Sequence, residues 1–77
     1  MPRPQGPIVA AGFRAEFAAR LRAAREKANL TPEQAAAAAE VSYSAWLMYE
    51  SGRRMPRLDW LPAIAAAVKT KPQKLMP

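Results

Sequence analysis

Residues 40–56 have the sequence EVSYSAWLMYESGRRMP, and this stretch decides how the rest of the chain is interpreted. Ser42 is a favourable N-cap residue, and the segment 43–50 that follows it contains neither glycine nor proline. Gly52 suits the left-handed position that ends a helix, and Pro56 prevents the helix from continuing. The stretch therefore predicts a short helix over about 43–50, followed by a turn that carries adjacent arginines.

A second helix start lies directly upstream, where the sequence TPEQ precedes a run of alanines. Thr31 suits the N-cap, Pro32 suits the first helical position, and Gln34 completes a capping box. The alanines at 35–39 are strong helix formers, and their small side chains let a neighbouring helix approach closely. We therefore predict a helix over 32–39, joined to the next helix by about three residues, which are the dimensions of a helix-turn-helix.

Further helices flank this pair. Apolar residues at helical spacing predict a helix over about 13–28. These residues are Phe13, Phe17, Leu21, Ala24 and Ala28. Asp59 is predicted to cap a helix over about 60–69, and a final turn should bury Leu75. The apolar stripe of the helix after Asp59 consists of Leu61, Ile64, Ala65 and Val68. The predicted fold class is all-α, a compact domain of five helices with short loops.

Residues 1–12, MPRPQGPIVAAG, contain three of the eight prolines and two of the three glycines. Proline lacks a backbone N–H, and glycine loses the most conformational freedom when it becomes ordered. We therefore predict a flexible N-terminal arm without helix or strand over 1–12, and a single folded domain over 13–77.

The composition excludes several classes of functional site. The chain has 77 residues, which fits one small domain, and it contains no cysteine and no histidine. Disulfides, thiol catalysis and the usual zinc sites need residues that this chain lacks. The six carboxylates are scattered singly among basic residues, so no paired acid–base site is evident. We predict that the protein is not an enzyme and that it uses no cofactor or metal.

The chain is strongly basic, with 12 lysines and arginines against 6 carboxylates, a net charge of +6 and a pI near 10.6. Such an excess favours an anionic partner, nucleic acid before a membrane surface, although solubility alone is another explanation. No apolar run approaches the ~20 residues of a membrane span, and the start of the chain lacks the pattern of a signal peptide. We therefore expect a cytoplasmic protein without a membrane partner.

These segments, taken in order, resemble the Cro/C1-type (Xre) helix-turn-helix domain of phage repressors and bacterial regulators. The resemblance spans residues 13–76 and is carried by LRAAREKANLTPEQAA, VSYSAWLMYESGRRMP, LPAIAAAV and QKLM. The positions that match the family's motifs are Leu30, Thr31, Glu33, Ala36, Val41, Ser42, Glu50, Gly52, Arg53, Arg54 and Pro56. The resemblance implies a lambda-repressor-like fold whose third helix lies in the DNA major groove.

The resemblance also implies which residues would meet DNA. The outward-facing positions that would contact base edges are Ser42, Tyr43, Ser44, Leu47 and Met48. The residues that would contact phosphates are Arg20, Thr31, Gln34, Arg53, Arg54 and Arg57. Trp46 would be a core residue and Tyr49 half-buried, and Arg25 would hold Glu50 in a structural ion pair.

The third helix of the motif family corresponds to the predicted helix over about 43–50, and its base-contacting positions differ from the family. The family often places Gln, Arg, Lys or Asn there, whereas this chain has hydroxyl and apolar side chains. Bidentate recognition of guanine or adenine is then replaced by hydroxyl contacts, DNA shape and apolar contact with thymine methyls. The glycine often found in the turn is Glu40 here, so Glu40 must either adopt a positive φ or change the turn. The roles of Arg14 and Arg22 on helix 1 stay open.

We expect a sequence-specific, double-stranded DNA-binding transcriptional regulator of the phage or bacterial repressor or antitoxin type. Since one domain contacts few base pairs, we expect a homodimer on a palindromic site. Trp60 and Met76 are candidates for the dimer surface, although the core is the favoured place for Trp60. Leu47 and Met48 suit a protein partner such as a toxin. The alternative function is a protein-interaction module that has lost base-specific reading, and a third is nonspecific coating of nucleic acid.

Overall fold

The computed structural model describes the backbone of residues 6–77 and the side chains of residues 12–77. This part of the chain contains five α-helices, one 3-10 helix and no strand. The helices are α1 (Gly6–Lys27), α2 (Pro32–Ala39), α3 (Tyr43–Ser51), the 3-10 helix (Leu58–Trp60), α4 (Leu61–Ala67) and α5 (Pro72–Leu75). The predicted all-α fold of five helices is confirmed.

Helix α1 begins at Gly6, whereas the sequence predicted a start at Phe13. The prediction that the N-terminal segment cannot form a helix is therefore wrong from Gly6 onward. Pro7 lies in the first turn, where its missing N–H would have no intrahelical acceptor in any case. Gly12 lies inside the helix, at a cost of about 1 kcal/mol relative to alanine. The first part of the predicted flexible arm, residues 1–5, lies outside the described residues.

Helix α2 has the capping box that the sequence predicted. The Thr31 hydroxyl accepts a hydrogen bond from the Gln34 N–H at 3.1 Å, and the Gln34 side-chain oxygen accepts one from the Thr31 N–H at 2.9 Å. At the other end, Glu40 adopts φ 60° and ψ 39°, so the turn uses left-handed backbone at a residue other than glycine. The Val41 N–H then donates to the Ala36 carbonyl at 3.0 Å, which closes a Schellman motif.

Helix α3 is capped at both ends by the predicted residues. The Ser42 hydroxyl accepts a hydrogen bond from the Ala45 N–H at 3.0 Å. Gly52 has φ 77°, and the following Arg53 N–H donates to the Met48 carbonyl at 3.1 Å. The two caps fix where α3 begins and where it ends from local sequence alone.

Asp59 does not cap the fourth helix, so that prediction is wrong. Its carboxylate instead accepts hydrogen bonds from the Arg57 guanidinium at 3.2 and 3.3 Å. The chain enters α4 through the 3-10 helix, in which the Trp60 N–H donates to the Arg57 carbonyl at 2.9 Å. The extended backbone that an N-cap needs therefore falls at Arg57, two residues before the predicted position.

The core lies where α1, α3, α4 and α5 meet, and α2 packs against α3 and α4. The largest fully buried side chains are Trp46, Phe17, Leu21, Ile64, Leu75 and Val68. The predicted burial of Trp46 and Leu75 is confirmed, and Tyr49 is buried rather than half-buried. Trp60 is 42% exposed, so its assignment to the core is wrong. Between Gly6 and Pro77, none of the helices is long and apolar enough to cross a membrane.

Candidate nucleic-acid interface

The side chains predicted to contact bases lie together on one exposed side of α3. We call this set the α3 face; it consists of Ser42, Tyr43, Ser44, Leu47 and Met48. Tyr43 is 46% exposed, Leu47 41% and Met48 39%, which are high values for large apolar side chains. Residues three and four apart are neighbours on a helix, so Leu47 lies beside both Tyr43 and Ser44. The face therefore presents hydroxyl groups and a continuous apolar strip.

Three arginines follow α3 closely, and we call them the basic loop: Arg53, Arg54 and Arg57. All three are exposed. The Arg57 guanidinium lies 5.4 Å from the centre of the Trp60 ring, and it also forms an ion pair with Asp59 at 3.2 Å. Arg53 and Arg54 make no side-chain hydrogen bond or ion pair within residues 12–77, so both guanidinium groups are free to meet an anion.

The start of α2 offers less to an anion than the sequence suggested. Thr31 and Gln34 are exposed, yet their side chains are bonded to each other's backbone in the capping box. Pro32 has no N–H, and the Gln34 N–H is already used, which leaves the Glu33 N–H in this first turn. The Glu33 carboxylate sits at the same place and repels an anion.

Arg20, another predicted phosphate contact, is bonded within the protein. Its guanidinium donates to the Met76 carbonyl at 3.0 Å and to the Lys74 carbonyl at 3.5 Å. It also forms an ion pair with Glu16 at 2.8 Å, one turn earlier on α1. Arg20 thus ties the end of the chain after α5 to α1.

Glu50 brings a carboxylate from the end of α3 into the core, where it is 6% exposed. Arg25 holds it with two hydrogen bonds of 2.5 and 3.1 Å, as predicted. The Trp46 indole N–H donates a third hydrogen bond at 2.6 Å, which the sequence did not predict. The hydrogen bond to Glu50 raises the pKa of Arg25, against the opposing effect of burial. The carboxylate therefore fixes the buried side of α3 against α1.

Two more arginines of α1 bind the same end of α3. Arg14 donates from Nε to the Gly52 carbonyl at 3.0 Å, and Arg22 donates from Nη2 to the Glu50 carbonyl at 3.0 Å. The sequence left both roles open. The available signal was spacing, because arginines at 14, 22 and 25 fall on one side of a helix.

A half-open groove of about 560 Å³ lies beside the start of α3. The turn after α2 lines it with Glu40, and the 3-10 helix lines it with Trp60. The groove reaches the α3 face at Ser42 and the basic loop at Arg54. Since Asp59 also lines it, both signs of charge are present.

The comparisons with known proteins agree with this arrangement of helices. A family model described as a helix-turn-helix domain matches residues 16–76, which include the second half of α1 and all of α2 to α5. No curated protein and no solved structure matches the chain. DNA-binding helix-turn-helix proteins place the second helix of the motif, here α3, in the major groove. The chain belongs to the helix-turn-helix domain family.

Proposed function

We propose that the protein is a sequence-specific, double-stranded DNA-binding transcriptional regulator of the phage or bacterial repressor or antitoxin type. The observation that carries the proposal is the α3 face. This exposed surface belongs to a helix that is capped at both ends and that a buried ion pair holds against α1. Three arginines follow the helix directly. Such a rigid surface beside free positive charge suits insertion into the major groove.

Base recognition would rest on hydroxyl groups and apolar contacts. Ser42, Tyr43 and Ser44 can donate to or accept from base edges. Leu47 and Met48 can pack against thymine methyl groups. This chemistry gives moderate discrimination, so DNA shape and deformability would add to specificity.

Phosphate contact would come chiefly from Arg53 and Arg54, whose exposed guanidinium groups have no partner among residues 12–77. Arg57 would contribute a charge that Asp59 and Trp60 already orient. Thr31 and Gln34 would have a smaller share, because the capping box uses their backbone N–H donors and leaves only the Thr31 hydroxyl proton and the Gln34 side-chain amide. Arg20 would contribute little, since its donors are bound to carbonyls near the end of the chain.

We propose that the protein acts as a homodimer on a palindromic site, since one domain covers few base pairs. Trp60 supports this proposal because it is exposed rather than buried, and its neighbour Leu58 is 79% exposed. Exposed large apolar side chains that are adjacent mark an interaction surface.

The second candidate function is a protein-interaction module with the same fold, for example the part of an antitoxin that meets its toxin. It is favoured by Leu47 and Met48, which form an exposed apolar pair where base-reading amides or arginines would otherwise stand. Methionine adapts readily to different protein surfaces.

Selection of duplex DNA from a random pool at near-physiological salt distinguishes these functions. Recovery of a common motif, palindromic for a dimer, supports the regulator. The motif should change for Tyr43→Ala and Ser44→Ala, while Tyr43→Phe separates the effect of the hydroxyl from that of the ring. Lys27→Ala is the matched control, because Lys27 lies beside Val68 and Lys69, away from the α3 face. A pool without enrichment would contradict the regulator and favour the protein-interaction module.

A further inference from the structure

Three arginines of α1 bind the C-terminal end of α3. Arg14 and Arg22 bind the carbonyls of Gly52 and Glu50, and Arg25 binds the Glu50 carboxylate. We call these three arginines the α1 clamp. α1 also approaches the cap itself, since a Cβ placed on Gly52 would lie 3.5 Å from the Ala15 Cα. The C-terminal end of α3 is thus bonded to α1 through main chain and side chain.

The clamp acts on groups that a helix leaves without partners. The last carbonyls of an α-helix have no intrahelical N–H donor, and the helix dipole places partial negative charge there. A guanidinium satisfies both needs, and its hydrogen bonds are stronger and more directional than those of water. The α1 clamp therefore fixes both the tilt of α3 and the position of its C-terminal end against α1.

A small change in this orientation has a large effect at the α3 face. A nine-residue helix such as α3 is roughly 13 Å long, so a tilt of about 5° at one end moves the other end by about 1 Å. Side chains that recognise a ligand need to be held within about 0.5 Å. An α3 that tilts by a few degrees would lose its contacts with base edges while keeping the basic loop near the phosphates.

We infer that Arg14 and Arg22 are positioning residues for base recognition, which act through the orientation of α3 and do not contact DNA. This inference rests on the proposed function, because it assigns a role in that same interface. Arg22 is the more informative position, since its side chain is 54% exposed and its removal leaves no cavity in the core. An arginine this exposed can also contact a DNA phosphate, and this is the competing explanation for the role of Arg22.

The first test needs no DNA. Amide hydrogen exchange is measured by NMR for Gly52 and Arg53, whose N–H groups close the end of α3. Arg22→Ala should accelerate their exchange on the order of tenfold, the effect of losing one charged hydrogen bond. Lys27→Ala removes the same charge from α1 without touching α3 and should leave the exchange unchanged. Equal exchange in Arg22→Ala and the unaltered protein overturns the clamp.

The second test separates positioning from phosphate contact. Affinity is measured for a selected duplex and for a scrambled one over a range of salt, at a temperature where a melt shows every variant folded. Arg22→Ala should lower the ratio of the two affinities on the order of tenfold with no change in the salt slope. Arg22→Lys, which keeps a charged donor, should recover part of the ratio.

Two other outcomes would count against the inference. If Arg22 contacts a phosphate, Arg22→Ala lowers both affinities equally and reduces the salt slope by about 0.9 for each bound protomer, and positioning is wrong. If the unaltered protein prefers no duplex at all, the proposed function fails, and with it the link to base recognition. The exchange measurement still decides whether the clamp orders α3, so the two failures are distinguishable.

Discussion

Glu50 constrains the orientation of α3 most strongly, because its charged carboxylate lies in the core. A buried carboxylate is tolerated only when its oxygens have donors, and Arg25 and Trp46 supply them. Among residues 12–77, the structure leaves no buried side-chain nitrogen or oxygen without a hydrogen-bond partner. The network therefore favours one orientation of α3 over the alternatives that hydrophobic burial alone would permit.

Glu50→Ala should destabilise the protein by about 3–5 kcal/mol, since it leaves Arg25 charged and buried without its partner. Urea denaturation measures this. Trp46→Phe keeps the aromatic packing and removes one donor, so its cost should be smaller, about 1–2 kcal/mol. Glu16→Ala is the control, because the Glu16 pair with Arg20 is exposed and should change stability by less than about 1 kcal/mol. Equal midpoints for Glu50→Ala and Glu16→Ala would contradict the role of Glu50.

Glu40→Gly should raise the free energy of unfolding by about 0.5–1 kcal/mol. Left-handed backbone costs a residue with a side chain about 1–2 kcal/mol, and the greater freedom of glycine in the unfolded chain offsets part of the gain. Glu33→Gly is the comparison, because Glu33 lies in the first turn of α2, where the same change should destabilise by up to about 1 kcal/mol. Thermal melts in which both variants shift in the same direction would show that φ at Glu40 is not the cause.

Local chemistry predicted some residues correctly and tertiary packing decided others. The cap at Ser42 depends on its sequence neighbours, so the sequence was sufficient there. At Glu40 the sequence left two alternatives, a positive φ or a changed turn, and the structure has the positive φ. The burial of Tyr49 and the exposure of Trp60 depend on which helices pack against each residue. Apolar composition cannot distinguish these two aromatic residues, because both are compatible with core and surface.

At the scale of secondary structure, α3 is the element whose orientation the others fix. α2 packs against one side of it, and α1 binds its C-terminal end. The boundaries of α2 and α3 were predictable because capping residues mark them. The start of α1 and the 3-10 helix before α4 were not, because a glycine–proline segment and the sequence RLDW allow several local geometries.

Gly12 and Gly52 should respond oppositely to substitution by alanine. Gly12 lies within α1 with open space around it, so Gly12→Ala should stabilise by about 0.5–1 kcal/mol. Gly52 ends α3 with φ 77°, so Gly52→Ala should destabilise by about 1–2 kcal/mol through backbone strain. Chemical denaturation of both variants measures the difference. Destabilisation by Gly12→Ala would contradict the helix at that position.

For the molecule as a whole, the distribution of arginine matters more than the net charge of +6. The α1 clamp and Arg20 are bonded internally, whereas Arg53 and Arg54 are exposed beside the α3 face and make no side-chain bond to the side chains that the structure describes. The sequence predicted a basic protein and the basic loop, and its resemblance to the family implied the internal pairing of Arg25, but it could not assign Arg14, Arg20 and Arg22 to the internally bonded group. That division requires knowing which carbonyls α1 lies against, and these belong to residues more than 25 positions away along the chain.

The salt dependence of DNA affinity tests this division. If four to six phosphates are neutralised by the two protomers of a dimer or by one copy, the log–log slope should be roughly −4 to −5. Arg53→Ala should make the slope shallower by about 0.9 for each bound protomer and weaken binding to all sequences alike, because this exposed arginine is proposed to contact a phosphate. Lys27→Ala, with the same loss of charge, should leave the slope unchanged. A slope near zero for the unaltered protein would contradict DNA binding, because an interface that begins at Arg53 and Arg54 cannot form without releasing counterions.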